Sequence, residues 1–352
     1  MIKKEVFVVG VMSGTSLDGV DLVYVKFDTN DYQNFKILKS NTVAYSSEWK
    51  NTLKQAILFS EKELEDLDVK YGIYLGEVIS NFLKSNKILN VDFIASHGHT
   101  VLHQPEKGIT LQVGNGKKIA EITKAKVICD FRTQDVNLGG QGAPLVPIGD
   151  ELLFSNYDFC LNLGGFSNIS YHKNGKRIAF DICPVNIVLN YYVNKLGFEF
   201  DESGKIASKG IINNELLRQL NSLEFYKTQP PKSLGLEWVQ LHIFPLIDDL
   251  EVDISTILKT FVEHVAIQIS KVIYKNNSVL ITGGGAFNTY LMNRIQFYSK
   301  NNIELPTSEL INFKEALLFA FLGLLKNNNE INCLKSVTGA RKNHSSGVVF
   351  KP

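Results

Sequence analysis

The sequence predicts an α/β protein built from two similar halves, and three observations carry that expectation. Apolar strand patterns alternate with amphipathic helical patterns along the chain, the arrangement of layered α/β domains. A strand, a glycine turn and a second strand occur twice, starting at Val6 and at Phe159, about 150 residues apart. At 352 residues the chain exceeds a single module of about 150 residues and has room for two cores.

The first half opens on the apolar run Val6 to Met12, a polar turn, and the alternating run Val20 to Phe27, which together predict a hairpin. Ser60 followed by Glu63 is a capping signal and predicts a helix over Glu61 to Lys84. Phe93 to Ser96 and Lys126 to Cys129 read as buried strands, and Gly139 to Pro144 reads as a linker or hinge between the halves. The second half opens on Phe159 to Tyr171, again strand, glycine turn and strand. Helical patterns follow from Pro184 to Leu196 and from Ile254 to Lys275, then a buried strand at Val279 to Thr282. The sequence identity between the two hairpins is low, so the repeat is one of plan rather than of residues.

Composition excludes several classes of function. With 44% hydrophobic and 21% charged residues the chain can bury cores and is not disordered. Lys+Arg 37 against Asp+Glu 36 gives a formal charge of +1, and the longest basic clusters are Lys3-Lys4 and Lys117-Lys118. Nothing there builds a phosphate-neutralising stripe for nucleic acid. Cys129, Cys160, Cys183 and Cys333 form no CxxC pair and sit mostly in apolar runs, which predicts reduced thiols in a cytoplasmic protein. The start imitates a signal peptide, but Glu5 interrupts it and no small-residue cleavage site follows. The apolar run Leu317 to Leu325 is far short of the roughly 20 residues that span a bilayer.

Three glycine loops carry the candidate chemistry. In the first, Ser13 to Asp21, glycines let consecutive amides face an anion, hydroxyls can donate to phosphate, and a carboxylate can hold Mg²⁺. A strand follows and no GK[ST] is present, so this is no Walker loop, and a plain polar hairpin is the competing reading. The second, Asn162 to Asn168, is another turn able to point amides at phosphate. The third is a buried strand running through Gly283, Gly284 and Gly285 to Phe287 and Asn288 and then a helix. There a ring or sugar can lie on bare backbone, or the turn is merely tight. Together the loops suit a nucleotide in a cleft between two similar domains.

The order of these loops resembles the sugar kinase, Hsp70 and actin superfamily, and Gly14 to Asp21 with the segments below is similar to the anhydro-N-acetylmuramic acid kinases. The likeness runs from Gly10 to about Ala340. Ser96 to Thr100 parallels an HGQT element, with His99 in place of Gln. Thr110 to Gly114, Asp130 to Asp135 and the run Gly139 to Pro147 match as well. Phe180 to Asn186 corresponds to an FDTGPGN element in which Cys183 and Val185 replace glycines, which predicts an altered loop shape. Phe287 replaces a frequent Arg in the third loop, and Glu315-Ala316 is expected to open the last helix.

The resemblance implies a two-domain actin-like ATPase (RNase H-like) fold with an interdomain cleft that closes on binding. Residues 1–135 plus about 314–352 would form one domain and 136–313 the other. It implies ATP and Mg²⁺ as cofactors and coupled hydrolysis and phosphorylation of 1,6-anhydro-N-acetylmuramic acid, in cell-wall sugar recycling. Gly14, Thr15, Ser16, Leu17, Asp18, Gly19, Val20, Asp21, Gly164, Gly165, Asn168, Gly283, Gly284, Gly285 and Asn288 would bind nucleotide and phosphate. Asp18 would hold Mg²⁺ directly or through water, although it can also simply brace its turn. Thr100, Arg132 and Glu315 would hold the sugar. Arg132 suits the lactyl carboxylate of a muramic sugar and would otherwise form a surface ion pair. Asp181 would be the general base, against a simpler role as helix cap before Pro184. His97, His99 and His103 find no Cys or His partner cluster elsewhere in the sequence, so a transition-metal site is not expected. The expected partner is a small amino sugar, with no nucleic acid and no membrane, and a homodimer is compatible with the sequence. A kinase for an open-ring hexose or amino sugar, and a nucleotide-switched protein of the Hsp70 or actin kind, are the alternatives.

Overall fold

The computed structural model describes residues 3–14, 17–273 and 276–352. Its strands are β1 (Glu5–Met12), β2 (Gly19–Asp28), β3 (Asp31–Ala44), β4 (Phe93–Ser96), β5 (His99–Gln104), β6 (Ile109–Val113) and β7 (Val127–Cys129). They continue as β8 (Phe159–Leu163), β9 (Phe166–Lys173), β10 (Lys176–Pro184), β11 (Ser278–Thr282), β12 (Asn302–Glu304) and β13 (Val348–Phe350). The chain divides into two compact units, residues 1–155 with 313–352, and residues 156–312.

Each unit is organised on a mixed sheet, and the two sheets share one plan. In the first, β1, β2 and β3 pair antiparallel in succession, while β4 and then β7 add parallel to β1 on the other side. In the second, β8, β9 and β10 form the antiparallel run and β11 and β12 the parallel one. β13 is an additional antiparallel edge on β7. The predicted repeat of plan is therefore present, with both hairpins where the sequence patterns put them.

Strand β1 is buried on both faces, as a strand flanked by a parallel neighbour and helices must be. Val9 and Val11 point one way, into a core shared with Leu67, Tyr71, Leu75 and Ile79 of the helix Glu61–Ser85. That helix starts where the sequence predicts, with Ser60 and Glu63 forming a capping box. Gly10 points the other way. A β-carbon there would lie 2.2 Å from the Ala316 carbonyl and 2.8 Å from Ala320, so only glycine lets the helix Ser308–Asn327 pack directly on β1. In the second unit the helix Ile254–Val272 buries Ile257, Phe261, Val265 and Ile269 against residues of β8 to β11.

Several expected boundaries shift. The first unit extends to Ser155 rather than 135, because the glycine-rich run is pinned within it and is not a linker. The Gln141 amide donates to the Thr338 carbonyl at 2.8 Å, and the Gly142 amide donates to Asp135 Oδ2 at 2.7 Å. The helix expected from Pro184 runs over Asn186–Asn194, because β10 continues through Pro184. The helix expected to end at Lys275 ends at Val272, and Lys275 itself lies outside the described residues. Glu315 does not open the last helix but lies inside Ser308–Asn327. Among the described residues no helix is long and apolar enough to cross a membrane.

Candidate active site

In the second unit the ladder register assembles a polar row. Thr282 of β11 is opposite Asn162 of β8, Asn162 is opposite Asn168 of β9, and Asn168 is opposite Asp181 of β10. Residues directly opposed across strands project to the same face, so four polar side chains line one side of this sheet at its turn end. Immediately after Asp181 the register slips by one residue before Cys183, a bulge of the sort that re-aims a side chain beside a site.

Asp181 lies on the edge strand, and a segment distant in sequence completes its surroundings. Its amide donates to the Lys232 carbonyl at 3.0 Å, and the Leu234 amide donates to its carboxylate Oδ2 at 2.8 Å. Burial pushes the Asp181 carboxyl above the ordinary aspartate range, with the Leu234 amide pulling in the opposite direction. The expected alternative role as helix cap is not observed: the residue at the N-cap of Asn186–Asn194 is Val185. Lys232 is fastened by its Nζ donating to the Phe225 carbonyl at 3.0 Å while lying 4.5 Å over the Phe225 ring. An open hollow beside it is lined by Ser233, Leu234, Gly235, Glu237, Trp238 and Leu241. Sequence reasoning missed Asn162 as a member of this row and missed the 232–235 segment altogether. The pair Pro230-Pro231 followed by Lys-Ser-Leu-Gly was the available signal of a rigid, specialised loop.

The second glycine turn is docked onto a helix start. The amides of Val185 and Ile187 donate to the Gly165 carbonyl and that of Asn186 to the Gly164 carbonyl, while the Gly164 amide donates to the Phe166 carbonyl. The Gly164 N–H is therefore used inside the turn. Cys183 and Val185 are fully buried, Cys183 within the strand and Val185 at φ −132°, so neither β-carbon meets a left-handed backbone. At the third loop Gly283 has φ +84°, and a β-carbon there would reach within 2.7 Å of Leu163 backbone atoms. Gly284 is exposed and faces nearly open space, as a bare-backbone shelf requires. Asn288 is buried, and its Oδ1 accepts the Leu291 amide as the cap of Thr289–Ser299, while Phe287 is largely exposed.

The first unit holds the sugar candidates and the first loop. Arg132 donates from Nε to His97 Nε2 at 3.0 Å and from its terminal nitrogen to the Gly142 carbonyl at 2.7 Å. His97 Nδ1 lies 2.8 Å from the Gly98 carbonyl and must donate to it, so Nε2 is the acceptor and the ring is neutral. Burial, then the Arg132 charge, hold His97 well below the usual histidine range, in keeping with that tautomer. Burial lowers Arg132 to about 10, opposed first by the charge of Glu315. Desolvation raises the Glu315 carboxyl, with Arg132 lowering it and Asp21 raising it. Thr100 on β5 accepts from Gln112 Nε2 at 3.4 Å.

In the first loop Asp18 is exposed, and Asp21 accepts from Thr42 Oγ1 at 2.6 Å. Burial raises the Asp21 carboxyl, the Thr42 bond lowers it, and the Asp18 charge raises it further. Ser13 Oγ donates to the Gly98 carbonyl at 2.8 Å, tying this loop to the histidine turn. Leu17 has φ 60° and its amide donates to the Gly14 carbonyl. Gly19 and Val20 begin β2 and are buried. Thr15 and Ser16 lie outside the described residues.

Both His97 nitrogens are engaged and His103 Nδ1 is 3.1 Å from Thr110 Oγ1, while the buried His99 Nδ1 has no hydrogen-bond partner among the described residues. Elsewhere among the described residues, folding brings together Asp135, Cys333 and His344, which are far apart in sequence.

The family model for anhydro-N-acetylmuramic acid kinase matches residues 6–352. Proteins of that name from Shewanella amazonensis and Haemophilus influenzae are 35% and 34% identical to this chain. The first alignment covers 97% of this chain and 98% of the relative, the second 99% and 98%. The Clostridioides difficile protein of the same name is 34% identical, with 95% of each chain covered. A xylulose kinase structure from Lactobacillus acidophilus aligns at 11% identity and a TM-score of 0.45, covering 98% of this chain and 94% of that one. With relatives of this likeness matching nearly end to end, the chain belongs to the anhydro-N-acetylmuramic acid kinase family.

Proposed function

We propose that the protein converts 1,6-anhydro-N-acetylmuramic acid, water and ATP to N-acetylmuramic acid 6-phosphate and ADP, in peptidoglycan amino sugar recycling. The observation that carries this reading is Asp181, a carboxylate with a raised pKa held at a strand edge by the Leu234 amide. Asp181 takes a proton from a water whose oxygen attacks the anomeric carbon. The bond from that carbon to O6 breaks, and O6 attacks the γ-phosphorus as the β,γ-bridging oxygen leaves with ADP. One base thus serves both halves of a coupled reaction, since phosphoryl transfer asks mainly for an oriented nucleophile and charge stabilisation.

Arg132 binds the lactyl carboxylate; its guanidinium is aligned by His97 and Gly142, and Thr100 and Glu315 complete the sugar contacts. Nucleotide and phosphates are assigned to Gly14 to Asp21, to Gly165 and Asn168 on the turn that the engaged Gly164 amide shapes, and to Gly283 to Gly285 and Asn288. A magnesium ion fits Asp18 with Asp21 beside it, the Asp21 carboxyl being raised first by burial and further by the Asp18 charge. Bound there it would neutralise phosphate charge. The same reading places the enzyme in the cytoplasm, and a homodimer is checked by sedimentation velocity.

The test is a mass-spectrometric product assay in ¹⁸O-water with Mg-ATP and the anhydro sugar, with open N-acetylmuramic acid in parallel. A 6-phosphate carrying ¹⁸O at the anomeric position at early times is expected. Phosphorylation of the open sugar alone would overturn the proposal.

A further inference from the structure

Beside Arg132 the first unit carries a polar cluster that phosphoryl transfer does not use. Asp135, Cys333 and His344 are all buried, and one ligand atom from each lies within 4.8 Å of the other two. Backbone structure dictates the grouping. Cys333 and His344 form an antiparallel bridge, exchanging amide-to-carbonyl bonds of 3.0 and 3.2 Å, so their side chains leave the same side of the ladder. Asp135, in the short helix Thr133–Asn137, meets them there, its Oδ1 accepting from Thr338 Oγ1 at 2.8 Å and its Oδ2 from the Gly142 amide at 2.7 Å. Donors of this kind aim a carboxylate and leave each oxygen a further lone pair.

The orientation of His344 is the second observation. Its Nδ1 lies 3.2 Å from the Lys342 carbonyl and must donate to it, which leaves Nε2 to present a lone pair in the neutral ring. Nε2 has no hydrogen-bond partner among the described residues, and it sits 3.5 Å from Asp135 Oδ1 with the two side chains 3% and 0% exposed. A nitrogen lone pair opposed to a carboxylate in a buried interior calls for positive charge between them. A proton on Nε2 is the simplest source, yet charge-assisted N–H···O bonds run to about 2.7–2.9 Å, shorter than this contact, and a proton gives Cys333 no part.

We propose that Asp135, Cys333 and His344 bind one thiophilic divalent cation of the zinc class, with a water as fourth ligand. A carboxylate, a thiolate and a neutral imidazole carry two negative charges, so they neutralise such an ion and its burial leaves no net charge. Tetrahedral bonds of about 2.3 Å to sulfur and about 2.0–2.1 Å to nitrogen or oxygen place ligand atoms about 3.3–3.6 Å apart. His344 Nε2 and Asp135 Oδ1 are already 3.5 Å apart, and the cluster, within 4.8 Å throughout, closes by at most about an ångström. Cys333 binds as thiolate, its proton passing to solvent. The ion fastens the segment carrying Cys333 and His344 to the helix bearing Asp135 and, through Gly142, to the loop that holds Arg132.

The probe is Co²⁺, supplied during expression of the full chain so that it can enter as the protein folds. About one cobalt per chain after dialysis is expected, with visible d–d bands and a near-ultraviolet sulfur-to-cobalt band. Cys333→Ser should lose the sulfur band, His344→Ala should retain less cobalt, and loaded protein should melt at a higher temperature than stripped protein. Wild-type protein that retains no cobalt, while histidine NMR shows His344 as an imidazolium, would overturn the proposal in favour of a plain ion pair. A sulfur band undiminished in Cys333→Ser would overturn it too. Wild-type retention alone decides if a variant fails to fold.

Discussion

Six residues, Ser13 to Asp18, separate β1 from β2, whereas only Gly164 and Gly165 separate β8 from β9. At the two ends of the first segment, Ser13 Oγ donates to the Gly98 carbonyl and the Tyr45 amide donates to the Asp18 carbonyl. The second is anchored by its own carbonyls, which accept amides from residues 185–187. One sheet plan therefore leaves different groups available. The first unit keeps Asp18 and Asp21 near its turn, and the second places its carboxylate on an edge strand whose outer side is completed by residues 232–234. A shared topology supplies positions, while the segments packed on its edges decide which positions become chemical.

The sharpest way to break that comparison is to remove the edge-strand carboxylate. Asp181→Asn should retain nucleotide binding and lose turnover by on the order of 10³-fold or more, since a positioned base contributes about 10²–10⁴ and orientation suffers as well. Single-turnover kinetics with a nucleotide titration checks this, and near-normal turnover would remove Asp181 from the mechanism. In the wild type the base must be deprotonated, and burial raises its pKa above 3.8. Activity should accordingly fall with decreasing pH through a limb above the ordinary aspartate value.

Next in size is the loop that supports that carboxylate. Leu234→Pro deletes the amide donor while Leu234→Ala keeps it. A hydrogen bond to a charged group is worth about 1.5–3 kcal/mol, so the proline variant should lose about 10- to 100-fold in kcat, with the acid limb moved up by about one to two pH units. The alanine variant should keep the wild-type limb. An equal change in both would mean that the side chain, not the amide, matters.

A smaller effect sharpens the packing side of the comparison. Gly10→Ala places a β-carbon 2.2 Å from the Ala316 carbonyl, and relieving that overlap must shift the helix carrying Glu315. Overpacking of this kind costs about 1–3 kcal/mol. Gly284→Ala in the third loop of the second unit meets nothing closer than Asn186 Nδ2 at 3.9 Å, so chemical denaturation should find it near wild type.

Most of the framework was legible because it rests on local signals. The alternating pattern of Val20 to Phe27 gave β2, and Ser60 with Glu63 gave the start of Glu61–Ser85. What the sequence concealed depends on pairing between distant segments. Gly139 to Pro144 has the composition of a linker, but the carboxylate of Asp135 and the carbonyl of Thr338 fix its amides, and neither partner is visible locally. Asp181 before a proline imitates a helix cap until the bulge and the continuation of β10 through Pro184 are known. The Leu234 amide and the Cys333–His344 bridge are backbone events, which carry no residue signature. Asn162 was in view within its motif, yet only the register with Asn168 and Asp181 gives it a place in the row.

The smallest predicted effects compare how each unit starts its long helix. Ser60 caps Glu61–Ser85 with a hydroxyl, whereas Asp253 caps Ile254–Val272 with a carboxylate that accepts from the Thr256 amide at 3.0 Å and from Thr256 Oγ1 at 2.7 Å. Replacing either cap by alanine should cost about 1 kcal/mol near neutral pH. Their acid behaviour should differ. Hydrogen bonds from Ser255 and Thr256 lower Asp253 from 3.8 to about 2, so the stabilisation is present above the unfolded value and is lost as pH falls through the folded one. The gap between wild type and Asp253→Ala should therefore narrow between about pH 4 and pH 2. Hydrogen exchange of the two helices reads each cap in its own unit. An Asp253→Ala gap that persists below pH 2 would show that this cap acts through backbone conformation rather than through its charge.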